Sequence, residues 1–233
     1  MASSTNFNAS STSYVTMGAF TGLDNATELS ISYWINFNTV SNNVGILGQY
    51  TSFSKKTWYI DIGSNTLNLI LSKDSSGTSN TIIVGSNDTI GTLFTSGNWY
   101  HICYTWKYNL NAFTDFTLYI DGVLKTLVNK FNTGNCTNIG VATVDYELGA
   151  LNPNFYPIDA KISYVEIFDR ELSSSEVQEI MNKPGSIAKN RVSYLPLYDS
   201  AKTDLVTGDK ADVVGANATL DPSGPPVYFP DIN

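Results

Sequence analysis

The sequence predicts an all-β protein of antiparallel strands, a sandwich or a barrel. Three observations carry this: apolar and polar side chains alternate with a period of two along most apolar runs, clusters of Ser, Asn and Gly separate those runs, and only one stretch has a helical period. The first runs are 14–18 and Glu28–Phe37. In the second, Leu29, Ile31, Tyr33, Ile35 and Phe37 share one face while Ser30, Ser32, Trp34 and Asn36 share the other, the pattern of a half-buried strand. Short runs follow at 44–50, 58–62, 67–71, 81–84 and 99–106. The segment 116–121 alternates again, and Asp121-Gly122 supplies turn chemistry for a hairpin into a strand over 123–128. A further strand covers 160–168. The single predicted helix is 174–182, where Ser173 caps the first turn and Glu176 completes a capping box, and Pro184-Gly185 stops it.

Composition bounds the function. The chain has 233 residues, 42% hydrophobic and only 15% charged, so it can bury a full core under a surface of Ser, Thr, Asn and Gly. Its net charge is -8 and its only arginines are Arg170 and Arg191, a balance that repels nucleic acid and anionic membrane surfaces. No apolar run approaches the roughly 18 residues that span a bilayer, so membrane insertion is not expected. The first residues also lack the basic and apolar regions of a signal peptide. Cys103 and Cys136 are too few for a disulfide framework and lack metal-type spacing. The chain divides into a sandwich over 1–190 and a C-terminal extension, 191–233, expected to pack on the same sandwich.

The ordered segments ELSISYWINF, GNWYHICYTWKY, FTLYIDGVL and AKISYVEIFDRELSSSEVQEIM resemble the laminin-G-like and pentraxin branch of the concanavalin A-like lectin and glucanase superfamily, in register over about 14–182. The resemblance implies a two-sheet antiparallel jelly-roll-like sandwich with one short helix in the C-terminal third. It also implies binding of glycans, proteins or lipids at a concave face or loop rim, often with calcium. Two departures qualify it. The pentraxin partner of the cysteine at Cys103 is replaced by Ser32, so a structural disulfide is not implied. The pentraxin calcium positions are occupied by Ser54-Lys55-Lys56-Thr57 and Leu151-Asn152-Pro153-Asn154, where lysines oppose a cation.

Candidate sites follow from residue chemistry. Sugar binding needs aromatic rings against sugar faces with amides and hydroxyls around them. Tyr50, Trp58, Tyr59, Tyr146, Phe155 and Tyr156 lie in or beside polar loops and are the candidate ligand residues, with at most one of Trp58 and Tyr59 facing outward. Trp34, Trp99 and Trp106 lie in strands and read as packing. Asp145 and Glu147, two apart on one strand, are the metal candidates and would share a face. They lack the third acid of the glucanase pattern, so catalysis is not expected. His101, the sole histidine, reads as a packed core residue. The expected function is a non-catalytic, lectin-like module for a glycan or polysaccharide at an extracellular, virion or cell surface. No cofactor is required, though a structural calcium and oligomer formation stay open. The alternative is a structural or adhesion protein that uses the sandwich for assembly.

Overall fold

The computed structural model describes residues 3–9, 13–52, 55–74, 80–109, 113–134, 136–151, 156–197, 202–208, 212–214 and 218–227. In chain order the strands are β1 (Ser4–Phe7), β2 (Tyr14–Ala19), β3 (Glu28–Phe37), β4 (Val44–Ser52), β5 (Lys55–Gly63), β6 (Thr66–Ser72) and β7 (Thr81–Ser86). After the one-turn helix α1 (Ile90–Leu93) come β8 (Trp99–Lys107), β9 (Phe116–Ile120), β10 (Val123–Lys125), β11 (Leu127–Asn132), β12 (Asp145–Leu148) and β13 (Ala160–Phe168). Helix α2 (Ser174–Asn182) precedes β14 (Arg191–Leu195), β15 (Asp212–Val214) and β16 (Thr219–Asp221).

These strands form two antiparallel sheets. The first runs β10-β9-β8-β3-β13-β1-β16, with β14 also paired to β13, and the second runs β11-β7-β6-β5-β4-β12-β2-β15. From the C-terminal region, β14 pairs with β13, β15 with β2 and β16 with β1. The core lies between the sheets, where Tyr33, Ile35 and Trp106 of the first meet Trp58, Ile60 and Leu69 of the second. Tyr104 ties the layers together by donating its hydroxyl to the Leu67 carbonyl at 2.9 Å.

Three sequence expectations need correction. The strand expected over 123–128 is two strands, since Val123–Lys125 pairs with β9 in the first sheet while Leu127–Asn132 pairs with β7 in the second. The chain changes sheets at Thr126 without a Gly or Pro to announce it. Strand β3 is buried on both faces rather than one. Its polar side is covered: Ser30 Oγ donates to the Arg170 carbonyl and accepts from Leu172 N, Ser32 bonds the His101 ring, and Asn36 donates to the Gly97 carbonyl. Finally, α1 is a second helix, too short at four residues to leave a period in the sequence.

Helix α2 has the capping box read from the sequence, with Ser173 accepting from Glu176 N and the Glu176 carboxylate accepting from Ser173 N. Arg170 clamps the same carboxylate with contacts of 2.7 and 3.1 Å, which hold Glu176 down at about 2. The helix buries Val177 and Ile180 against Cys103, Phe168 and Leu172. Ser32 lies directly opposite Cys103, and both cysteines are free and buried.

Candidate functional site

Strand β5 sets the site because its alternation is strict. Trp58, Ile60 and Ile62 point into the core, which sends Tyr59, Asp61 and Gly63 to the outer face of the second sheet. On the neighbouring β6, Leu67, Leu69 and Leu71 point inward and leave Asn68 and Ile70 outside. Cross-strand pairing then writes two rows across this face. One row aligns Gly48, Tyr59, Ile70 and Ile83, and the next aligns Gly45, Asp61, Asn68 and Gly85.

The outer face carries its own apolar cluster, separate from the main core: Tyr59, Ile70 and Leu151, with Tyr50 and Ile83 against them. The rings of Tyr50 and Tyr59 meet at 4.8 Å between centroids with planes at 53°. Two glycines make the arrangement possible. A Cβ on Gly48, which sits at φ 146°, would lie 2.4 Å from Tyr59 Cα. A Cβ on Gly45 would lie 2.4 Å from Leu151 Cγ, and the Gly45 N–H donates to the Tyr156 carbonyl at 2.7 Å. Gly45 therefore lets the segment at Leu151 and Tyr156 lie against β4. Tyr156, 46% exposed, is brought beside Tyr50 and Tyr59.

The result is a pair of adjoining recesses that share Tyr59, Asp61 and Gly63. The smaller, of ≈ 130 Å³, is walled by Tyr50, Tyr59, Tyr156, Asp61, Asn43 and Leu151. The larger, of ≈ 400 Å³, continues over Asn68, Ile70 and Ile83 to Lys56, Lys130 and Phe131. That size falls in the range of small-ligand clefts.

Asp61 is the electrostatic centre of the site. Asn68 donates to its Oδ1 at 2.8 Å, and Asn68 is in turn fixed by the Gly63 carbonyl at 3.1 Å and the Thr66 hydroxyl at 2.9 Å. Burial lifts the Asp61 carboxyl to about 6 against the opposing effect of that amide bond. Burial likewise raises the Tyr59 phenol far above its ordinary value, with Asp61, Tyr50 and Tyr156 adding to it, and lowers the Lys56 ammonium. No lysine or arginine forms an ion pair with Asp61 among the described residues.

Of the aromatics expected from the sequence, Tyr50, Tyr59 and Tyr156 meet in this recess. Trp58 and Tyr146 do not: they are 0% and 1% exposed and pack in the core with Phe20, their rings 5.5 Å apart and tilted by 44°. The correction has a simple cause, since both stand on the inward face of a strand rather than in a loop. Phe155 lies outside the described residues, as do Ser54, Asn152, Pro153 and Asn154. Asp145 and Glu147 do not share a face as expected. The register of β12 shifts between them, leaving Asp145 exposed and Glu147 buried, and no group of three metal-ligating side chains occurs among the described residues.

His101 is a buried packing residue. Its Nε2 lies 2.8 Å from Ser32 Oγ, its ring stands 5.4 Å from Trp34, and burial drops it to about 3. Sequence reasoning missed Asp61, Asn68 and Phe131, and read Lys56 only as a residue that opposes a cation. The legible signal was the one carboxylate in the otherwise uncharged run from Thr57 to Gly63.

The two-sheet antiparallel sandwich has a concanavalin A-like architecture, and comparison with known proteins agrees on the fold. A family model described as the concanavalin A-like lectin/glucanases superfamily, laminin-G type, matches residues 9–178. The chain belongs to that family. Among solved structures it is similar to a proposed carbohydrate-binding protein from Bacteroides ovatus, with a TM-score of 0.68 at 13% identity over 95% of this chain. This chain spans 60% of that protein's length. It is also similar to the heptameric SAP-like pentraxin of Limulus polyphemus, with a TM-score of 0.52 at 16% identity over 77% of this chain and 81% of the pentraxin. The receptor-binding domain of botulinum neurotoxin type G has the same TM-score of 0.52, at 19% identity over 75% of this chain and 41% of that one. These likenesses establish the fold. No curated protein sequence matches the chain at a significant level.

Proposed function

We propose that the chain is a non-catalytic carbohydrate-binding module that holds a saccharide in the cleft over Tyr59 and Asp61. The observation that carries this is the convergence of Tyr50, Tyr59 and Tyr156 with an Asp61–Asn68 pair on one open sheet face. Apolar ring surface beside fixed amide and carboxylate groups is the chemistry that recognises sugars. The Bacteroides likeness, itself a proposed carbohydrate binder, is consistent with the reading.

The same cleft favours binding over hydrolysis. Glycosidases of the usual kind need two carboxylates flanking the scissile bond. Asp61 is the only carboxylate lining either recess among the described residues. A free glycan or polysaccharide at a cell, virion or extracellular surface is the partner this implies.

A glycan array followed by calorimetry tests the reading. Tyr156→Ala should weaken binding of the best array ligand by several-fold, each stacked ring contributing roughly 1 kcal/mol, with the melting temperature unchanged because Tyr156 is largely outside the core. Binding should persist in EDTA. Loss of binding with chelator, or full affinity in Tyr156→Ala, would place the ligand elsewhere, and reproducible release of reducing sugar would show that the chain is an enzyme.

A further inference from the structure

We infer that the smaller recess, bounded by Tyr50, Tyr59, Tyr156 and Asp61, is an aromatic cage for an ammonium group, and that the saccharide held in the cleft is an amino sugar with a free, charged amine. This rests on the carbohydrate reading above and narrows it to a substrate class.

An ammonium ion in a protein pocket needs π surface around it, a negative charge that is not already neutralised, and shelter from water. The recess supplies each. Three phenol rings line it, two of them packed at 4.8 Å and the third reaching in beside them. At ≈ 130 Å³ it suits a substituent rather than a whole sugar ring, and the adjoining ≈ 400 Å³ cleft is the place for the rings that carry it.

The charge pattern selects the sign of the ligand. Asp61 is faced by Tyr59 from its own strand, Tyr50 from β4, Asn68 from β6 and Tyr156 from the segment after β12, and none of these is basic. Two lysines border the larger cleft, Lys56 opposite Tyr50 in the β4–β5 pairing and Lys130 with its stem over Gly85 beside Asn68, and neither forms an ion pair with Asp61. A uronic or sialic acid would bring a second carboxylate against a first that burial already disfavours. A neutral sugar would leave that cost standing. A cation removes it, which is the direction in which the raised pKa of Asp61 points. A metal ion is a poor occupant by comparison, because one carboxylate and one amide are too few oxygen ligands for calcium.

The test is calorimetry on the intact chain with a fully deacetylated chitooligosaccharide, the fully N-acetylated oligomer of the same length, and tetramethylammonium chloride as competitor, all near neutral pH. The deacetylated oligomer should bind at least about tenfold more tightly, a difference of the size a caged cation brings, and tetramethylammonium should displace it. Asp61→Asn, which keeps the shape, should erase the preference while leaving any binding of the acetylated oligomer. Tyr156→Phe should retain the preference and Tyr156→Ala should lose it; unchanged melting curves for the variants rule out a folding defect.

Equal or tighter binding of the acetylated oligomer, or a preference that survives Asp61→Asn, would overturn the ammonium cage. If a neutral oligosaccharide then binds and Tyr156→Ala abolishes it, the carbohydrate reading stands without the cage. Binding of tetramethylammonium with neither oligosaccharide bound supports the cage and overturns the carbohydrate reading. Binding of none of the three overturns the cage.

Discussion

At the scale of single residues, buried ionisable groups give the protein a pH dependence whose parts oppose one another. His101 is held neutral, dropped by burial from 6.5 to about 3. A group with a folded pKa below its unfolded value contributes stability that is fully present above 6.5 and is lost as the pH falls toward about 3, because the unfolded chain takes up the proton first. Asp61 and Glu166 are shifted the other way by burial, from 3.8 to about 6 and from 4.5 to about 7. Their ionised forms are disfavoured in the fold, so the cost they impose is complete above those raised values and fades as the pH falls. Because these effects offset each other, the wild-type profile alone does not isolate the histidine. The difference from His101→Gln does: the stability advantage of wild type over the variant should shrink between neutral and mildly acid buffer in urea denaturation. A difference that stays constant across that range would mean the ring is not held neutral.

The same scale shows why the site was only partly legible. Tyr50, Tyr59 and Tyr156 could be named from aromatics near polar loops, but the sequence gives no distance between 50–59 and 156. Trp58 looked equivalent to Tyr59 until strand direction separated them. Asp61 was passed over because a lone polar residue in an alternating strand reads as ordinary solvent exposure. Only the pairing of β4, β5 and β6 places it between three phenols and an amide.

At the scale of elements, the helix α2 matched its sequence reading because its ends are written in side chains. The Ser173 cap, its reciprocal Glu176 and the stop at Pro184-Gly185 are local chemistry. Strand β3 was equally plain from its alternation. The strands β1, β15 and β16 were not, since each has three or four residues and exists only through its partner in the sheet. The switch between β10 and β11 was hidden for the same reason: it is set by which neighbour each half pairs with. Helix α2 covers the polar side of the first sheet, so its cap should matter to the whole fold. Ser173→Ala removes one partner of the capping box and should destabilise the protein by about 1 kcal/mol, visible as a lower midpoint in urea at unchanged slope. No shift in that midpoint would mean that packing of Val177 and Ile180 alone fixes the helix start.

At the scale of the whole molecule, the two sheets have divided their outer faces between different tasks. The first sheet's is covered in part by α2, which packs Val177 and Ile180 on Cys103 and Phe168, and in part by the cluster of Trp34, Tyr164 and Tyr194. The second sheet keeps an open stretch over β4 to β7, where Tyr59, Asp61, Asn68 and Ile70 face a cleft. The family match accounts for the sandwich, and the open face accounts for the proposed binding. Backbone amide chemical shifts, followed as the best array glycan is titrated into labelled protein, test that claim most directly. Perturbations should concentrate on Gly45, Tyr50, Tyr59, Asp61, Asn68 and Tyr156; perturbations gathered instead on the first sheet or on α2, with this face silent, would contradict binding at the open face.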